Sequence, residues 1–143
     1  MQTKKYPRNA SLAALAKAEA ARDLIDNSPA RLPTIAALCS VVLLNRVCLQ
    51  AAFKERFDIS IARYGREVKL RWVKSLLMDY TLTLDTIAEE SGYNGGSALS
   101  RFFKMMEGVT PGVWRREMLR PKRLQNDAQG KNADRSGLLA NVP

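Results

Sequence analysis

The sequence predicts an all-α chain: two helix-turn-helix subdomains joined by a long connecting helix. Three observations carry that prediction. Apolar residues recur every three to four positions through most of the chain, and strand-like alternation is almost absent. Thr, Ser and Asn stand where helices should begin, and Gly or Pro where they should end. The third observation is a repeat. Residues 49–67, LQAAFKERFDISIARYGRE, and 99–117, LSRFFKMMEGVTPGVWRRE, run in step at an offset of fifty, pairing Leu49 with Leu99, Phe53 with Phe103, Tyr64 with Trp114 and Arg66 with Arg116. Upstream, at an offset of forty-nine, Leu38-Cys39 answers Ile87-Ala88 and Leu44-Asn45 answers Tyr93-Asn94. One small helical unit is therefore built twice, too few copies for a solenoid.

The elements follow in order. Residues 1–33 form a lead-in with one helix over about 10–27, marked by Leu12, Leu15, Ala16, Leu24 and Ile25 and stopped at Asn27-Ser28-Pro29. The first helix-turn-helix takes 34–62. Thr34 caps a short helix over 35–42, and Asn45 caps a second whose Cys48, Leu49, Ala52, Phe53 and Phe57 fall at helical spacing. Ser60 opens the connecting helix, 61–79, with Ile61, Tyr64, Val68, Trp72 and Leu76 as its apolar stripe. The second helix-turn-helix and a closing helix take 83–119. There Thr83 caps, Gly92 supplies a left-handed exit, a helix runs over 96–107, Gly108 stops it, and Thr110-Pro111 starts the last one. Residues 120–143 are polar and aperiodic and read as a disordered tail.

Composition narrows the function. The net charge is +9 and the pI about 9.9, which favours a polyanionic partner. The excess concentrates in residues 63–123, with twelve Lys or Arg against seven acids. A duplicated helical unit on such a chain suggests two contacts with a periodic partner, and duplex DNA is the commonest of these. The absence of histidine excludes histidine acid–base chemistry and zinc fingers; Cys39 and Cys48 read as buried thiols without a CxxC partner. Gly95-Gly96 lacks the strand-and-lysine context of a phosphate loop. The expectation is a protein that is not an enzyme and uses no cofactor and no metal. No run of 18 apolar residues exists, so no membrane partner and a cytoplasmic location are expected.

The second copy, GYNGGSALSRFFKMMEGVTPGVWRR, resembles the arabinose-regulator (AraC/XylS) family of bacterial transcription factors, whose pattern carries the same F/L-S-R-x-F-K, then G-x-T-P, then R. The first copy, LCSVVLLNRVCLQAAFKERFDIS, resembles the family's first reading unit, and KLRWVKSLL its connecting helix, so the likeness covers about 10–118. It implies two DNA-reading units, and activation by recruiting RNA polymerase. Four positions depart from the family pattern: Leu43 and Asp58 stand for glycine, Cys39 for alanine and Lys69 for arginine. Because leucine does not take a positive φ cheaply, the turn at Leu43 is expected to be distorted or to use a non-glycine geometry. Members usually carry a further sensing or dimerisation domain, for which 143 residues leave little room. The chain reads either as a stand-alone regulator or as the C-terminal piece of a longer one.

Burying the apolar stripes leaves the reading faces. With Leu49, Ala52 and Phe53 inside, Arg46, Val47, Gln50, Ala51 and Lys54 lie outside. With Leu99, Phe102 and Phe103 inside, Gly96, Ser97, Ser100, Arg101 and Lys104 lie outside. Gln50 suits adenine, Val47 a thymine methyl, and Arg46 or Arg101 guanine. Phosphate contacts are expected from Lys54, Lys69, Arg71, Lys74, Lys104, Arg115 and Arg116. A connector of nearly twenty residues is about 28 Å long at ~1.5 Å per residue, close to the ~34 Å between successive major-groove segments, so one monomer can reach two of them. The altered first unit leaves an alternative, a member that has lost DNA reading and titrates a partner regulator.

Overall fold

The computed structural model describes residues 10–120. The chain before and after that range lies outside it, including nearly all of the segment read above as a disordered tail. The described residues hold seven helices: α1 Leu12–Asp26, α2 Ile35–Val42, α3 Arg46–Phe57, α4 Ile61–Leu77, α5 Leu84–Glu90, α6 Gly96–Glu107 and α7 Pro111–Met118. Their starts are set locally. Ser11, Thr34, Asn45, Ser60, Thr83 and Thr110 each accept, through the side-chain oxygen, the backbone N–H three residues on, satisfying donors that a helix start leaves orphaned.

Two cores result, one per unit. In the first, α1 contributes Ala18, Ala21 and Ile25, α2 Leu38 and Val42, and α3 Leu49, Ala52 and Phe53. In the second, Ile87 and Ala88 of α5 meet Leu99 and Phe103 of α6. The connecting helix serves both: Ile61 and Val68 enter the first core, Val73 and Leu77 the second. The expected stripe is extended rather than replaced: Tyr64 and Leu76 are partly buried against the cores, but the most deeply buried residues in the second half of α4 are Val73 and Leu77. The second unit packs on a side of α4 centred on Val73 and Leu77 and flanked by Leu70 and Leu76, one residue out of phase with Val68 and Trp72. Leu12, which helped mark α1, is 87% exposed and lies on the side of the helix away from the core. The repeat is visible in the packing. Phe53 lies edge-on to Tyr64 with ring centroids 5.6 Å apart, and Phe103 edge-on to Trp114 at 5.8 Å.

The expected distortion at Leu43 does not occur. Leu43 takes the regular left-handed geometry, φ 58° and ψ 48°, and its N–H closes α2 on the Cys39 carbonyl at 2.9 Å. The turn does what glycine would do, and the leucine tolerates it because its side chain is 78% exposed. Asp58 repeats the device after α3, φ 56°, where the second copy has Gly108, φ 84°. A left-handed leucine costs roughly 1–2 kcal/mol, while glycine adds about 0.5–1 kcal/mol of backbone entropy to be lost. Leu43→Gly is therefore expected to stabilise the first unit by about 0.5–1 kcal/mol and to raise its melting temperature by a few degrees. An unchanged or lower melting temperature would show that the leucine is not strained.

Lys69 ties the parts together. It is buried, 8% exposed, and its ammonium donates to the Ala30 carbonyl after α1 and, at 2.6 Å, to the Ser91 carbonyl at the end of α5, while lying over the Tyr93 ring. Burial, reinforced by the nearby Arg31 charge, lowers its pKa. Burial also pushes the Tyr93 phenol up to about 12. Between about pH 10, where an unfolded tyrosine ionises, and about 12, the folded state holds a proton that the unfolded state has lost, so stability falls as pH rises through that window. Lys69 acts oppositely just below its ordinary value, where the folded state binds fewer protons. In an absorbance titration of tyrosinate, a late-ionising component is expected in the wild type and is expected to shrink in Tyr93→Phe, leaving the part due to Tyr64, whose pKa is also raised by burial and by Asp26; a late component of undiminished amplitude would contradict the burial of the Tyr93 phenol.

Candidate nucleic-acid interface

Asn45 caps α3 by accepting from Cys48 N–H at 2.8 Å, so the side chains of the first turn project from a fixed start. Arg46, Val47 and Lys54 are exposed and Gln50 is half-buried. Ala51 is not on this face: it is 5% exposed. The reason lies in α1, a packing partner of α3. Glu55, one turn beyond Ala51, accepts from Ala10 N–H at 2.7 Å, and Arg56 pairs with Glu19 at 2.8 Å. The lead-in thus covers one flank of α3 and narrows its outer face to a stripe of Arg46, Val47, Gln50 and Lys54.

The second unit starts its helix differently. Gly95 occupies the capping place with φ 108°, a conformation open to glycine, and contributes no side-chain cap. The missing acceptor comes from α5, whose Asp85 accepts Gly96 N–H at 3.0 Å. A Cβ on Gly96 would stand 2.9 Å from that carboxylate, so Gly96 is small to let Asp85 in, and it offers no side chain for reading. Ser97, Arg101 and Lys104 are exposed and Ser100 half-buried. α6 packs on α5 and α7, and its outward residues Ser97, Arg101, Lys104 and Met105 are exposed.

The seven expected phosphate contacts divide. Lys54, Lys104, Arg116 and Arg71 are exposed. Three are corrected. Lys69 is buried in the bracket described above. Lys74 is half-buried, paired with Glu107 and set over the Trp114 ring. Arg115 turns inward, donating to the carbonyls of Leu77, Leu82 and Asp79. Each found backbone carbonyls or a carboxylate at a seam between elements, which a helical wheel of one segment does not display. Two outward cations of α4, Arg63 and Arg66, fall outside the expected set; both are exposed and lie beside Glu67, one helical turn apart.

Cys39 and Cys48 are free and half-buried rather than fully enclosed. Among the described residues no cluster of His, Cys, Asp or Glu is arranged to hold a metal ion, and no single helix is long and apolar enough to cross a membrane.

A family described as a helix-turn-helix domain matches residues 38–117. The chain is 32% identical over 97 residues to an AraC-like transcription regulator of Streptomyces lividans, covering 68% of this chain and 32% of that one. It is 28% identical over 79 residues to the HTH-type transcriptional activator RhaR of Cronobacter sakazakii, covering 55% of this chain and 28% of that one. The chain thus spans about a third or less of the length of these relatives. Its fold matches that of the DNA-binding domain of AdpA, a global transcriptional factor solved with a target DNA, with a TM-score of 0.62 at 17% identity over 76% of this chain and 96% of that one.

Proposed function

The chain belongs to the AraC/XylS family of helix-turn-helix transcriptional regulators, and from that premise we propose that it binds DNA sequence-specifically, placing α3 and α6 in two adjacent major-groove segments of one duplex. One observation carries the reading: a helical pair of the same build occurs at both ends of α4, each with outward cations that have no partner among the described residues, Arg46 and Lys54 on the first, Arg101 and Lys104 on the second, with Arg116 on α7 beside it. α4 has 17 residues, about 25 Å at ~1.5 Å per residue, shorter than the ~34 Å groove repeat. Simultaneous insertion then bends the duplex toward the protein. A monomer suffices, and the target is asymmetric and about two helical turns long. Activation through RNA polymerase is the reading that the activator among the relatives supports, acting in the cytoplasm where the template lies. The interaction-only alternative rested on the altered first unit, and the glycine-like geometry of Leu43 and Asp58 weakens it.

Selection from a random duplex pool tests the proposal; failure to enrich any sequence would sink it. With an enriched duplex, log K is expected to fall against log salt with a slope of magnitude about 5, near 0.9 per neutralised phosphate. Arg101→Ala should weaken specific binding by about 1–3 kcal/mol and relax one or two base pairs, with the helical signal intact. A slope below about 2, or undiminished specificity in Arg101→Ala, would contradict the assignment of this face.

A further inference from the structure

Between α4 and the C-terminal half of α6 runs an open trough of about 500 Å³. Arg63, Arg66 and Arg71 line it from α4, with Glu67 among them, and Met105 and Met106 line it from α6. Three cations against one acid select an anion. The acid is only loosely engaged: Arg63 and Glu67 pair at 3.5 Å with the arginine largely exposed and the glutamate about half so, a contact of little strength in water. Arg66 has no partner among the described residues. The position is as informative as the charge. Arg63 lies in the first turn of α4, beside the first core, whereas Met105, 65% exposed, follows Arg101 by one turn on the open side of α6. The trough therefore borders the second reading face and leads back toward the first.

We propose that this trough seats the sugar-phosphate strand that joins the two major-groove segments, making the connecting helix a phosphate clamp as well as a spacer. The proposal rests on the DNA-binding reading above and names a further surface for it. Its dimensions agree: Arg63 to Arg71 covers eight residues of helix, about 12 Å at ~1.5 Å per residue, and one strand presents a phosphate about every 3.4 Å of duplex axis, so about three phosphates face three guanidinium groups. The planar fork of arginine suits phosphate oxygens, and the two thioether side chains offer an apolar wall to the deoxyribose. An enclosed small-molecule site would need walls that this trough does not have.

The test uses the full chain and a duplex recovered by selection. Arg63→Gln with Arg66→Gln is expected to reduce the salt slope by about 2 and to weaken recovered and scrambled duplexes by the same factor, about tenfold or more at ~0.15 M salt, leaving the specificity ratio and the melting temperature unchanged. Methylphosphonates placed at the central phosphates should weaken the wild type clearly more than the double variant, which keeps only Arg71 on the trough; placed at the outer phosphates they should weaken both equally. An unchanged slope in the folded double variant, or central methylphosphonates that weaken both proteins equally, overturns the clamp, and the trough would then fit an acidic protein segment. If the double variant melts early, Glu67→Gln carries the test: tighter binding is expected, and unchanged affinity overturns the clamp. The two readings separate cleanly. Loss of specificity in Arg101→Ala beside an unchanged slope in the double variant leaves DNA reading standing and removes the clamp, whereas a wild type that recovers no duplex removes both.

Discussion

Phe103→Ala is expected to unfold the second unit. Phe103 is fully buried, centred among Val73, Leu77, Ile87, Ala88 and Leu99, and its ring meets the edge of Trp114. Removing a buried phenylalanine costs about 3–5 kcal/mol, through lost transfer energy and through the cavity left behind. A small domain has about 5–15 kcal/mol in total, and this core is the smaller of the two, without a counterpart of α1. The variant should lose far-UV helical signal, melt at lower temperature and fail to bind DNA, while Arg101→Ala keeps full helicity. Phe53→Ala removes the equivalent ring, yet α1 and the neighbouring Phe57 and Tyr64 rings remain to hold the first unit partly together. If Phe103→Ala retained both helix content and melting temperature, the duplicated two-core architecture would be wrong at its centre.

What the sequence made legible was whatever is decided within a few residues. Thr34, Asn45, Ser60, Thr83 and Thr110 cap where they were expected because a cap needs only its own side chain and a backbone N–H three residues on. The pairings of Phe53 with Phe103 and Tyr64 with Trp114 in the repeat correspond in the structure to two equivalent edge-on aromatic contacts, since the same spacing on the same elements forces the same packing. The errors fall where partners are distant in sequence. Ala51 has the outward phase of Arg101 fifty residues later, but only the first unit has a helix lying along that flank, anchored by a bond from Ala10 to Glu55. Lys69 looked like a surface cation, and the carbonyls that draw it inward belong to residues 39 and 22 positions away. Leu43 shows the converse: the local rule against a left-handed leucine was sound as an energy, but a cost of ~1–2 kcal/mol is small enough for the surrounding unit to impose the turn.

Arg115 and Arg116 provide the sharpest separation of roles, being adjacent residues of one sequence-predicted phosphate cluster. Arg115 reaches back from α7 with Nε on the Leu77 carbonyl at 2.9 Å, Nη1 on Leu82 at 2.8 Å and Nη2 on Asp79 at 3.3 Å. Leu77 ends α4, so its carbonyl has no partner within the helix, and a guanidinium there also meets the negative end of the helix dipole. One side chain thereby closes the connecting helix and fixes the loop that leads to α5. Its removal is expected to cost about 2–4 kcal/mol, given about 1.5–3 kcal/mol for a hydrogen bond from a charged donor and the partial exposure of this site. Lysine should not restore it, because a single ammonium does not reproduce the fork. Arg116 is exposed and has no partner among the described residues. Arg116→Ala should therefore leave the melting curve unchanged while reducing the salt slope of DNA binding by about one. Arg115→Ala should lower the melting temperature markedly, and any loss of binding should follow the unfolded fraction and disappear on cooling. A stable Arg115→Ala that nonetheless binds with a salt slope reduced by about one would place this guanidinium against phosphate and reopen the seam between α4 and α7.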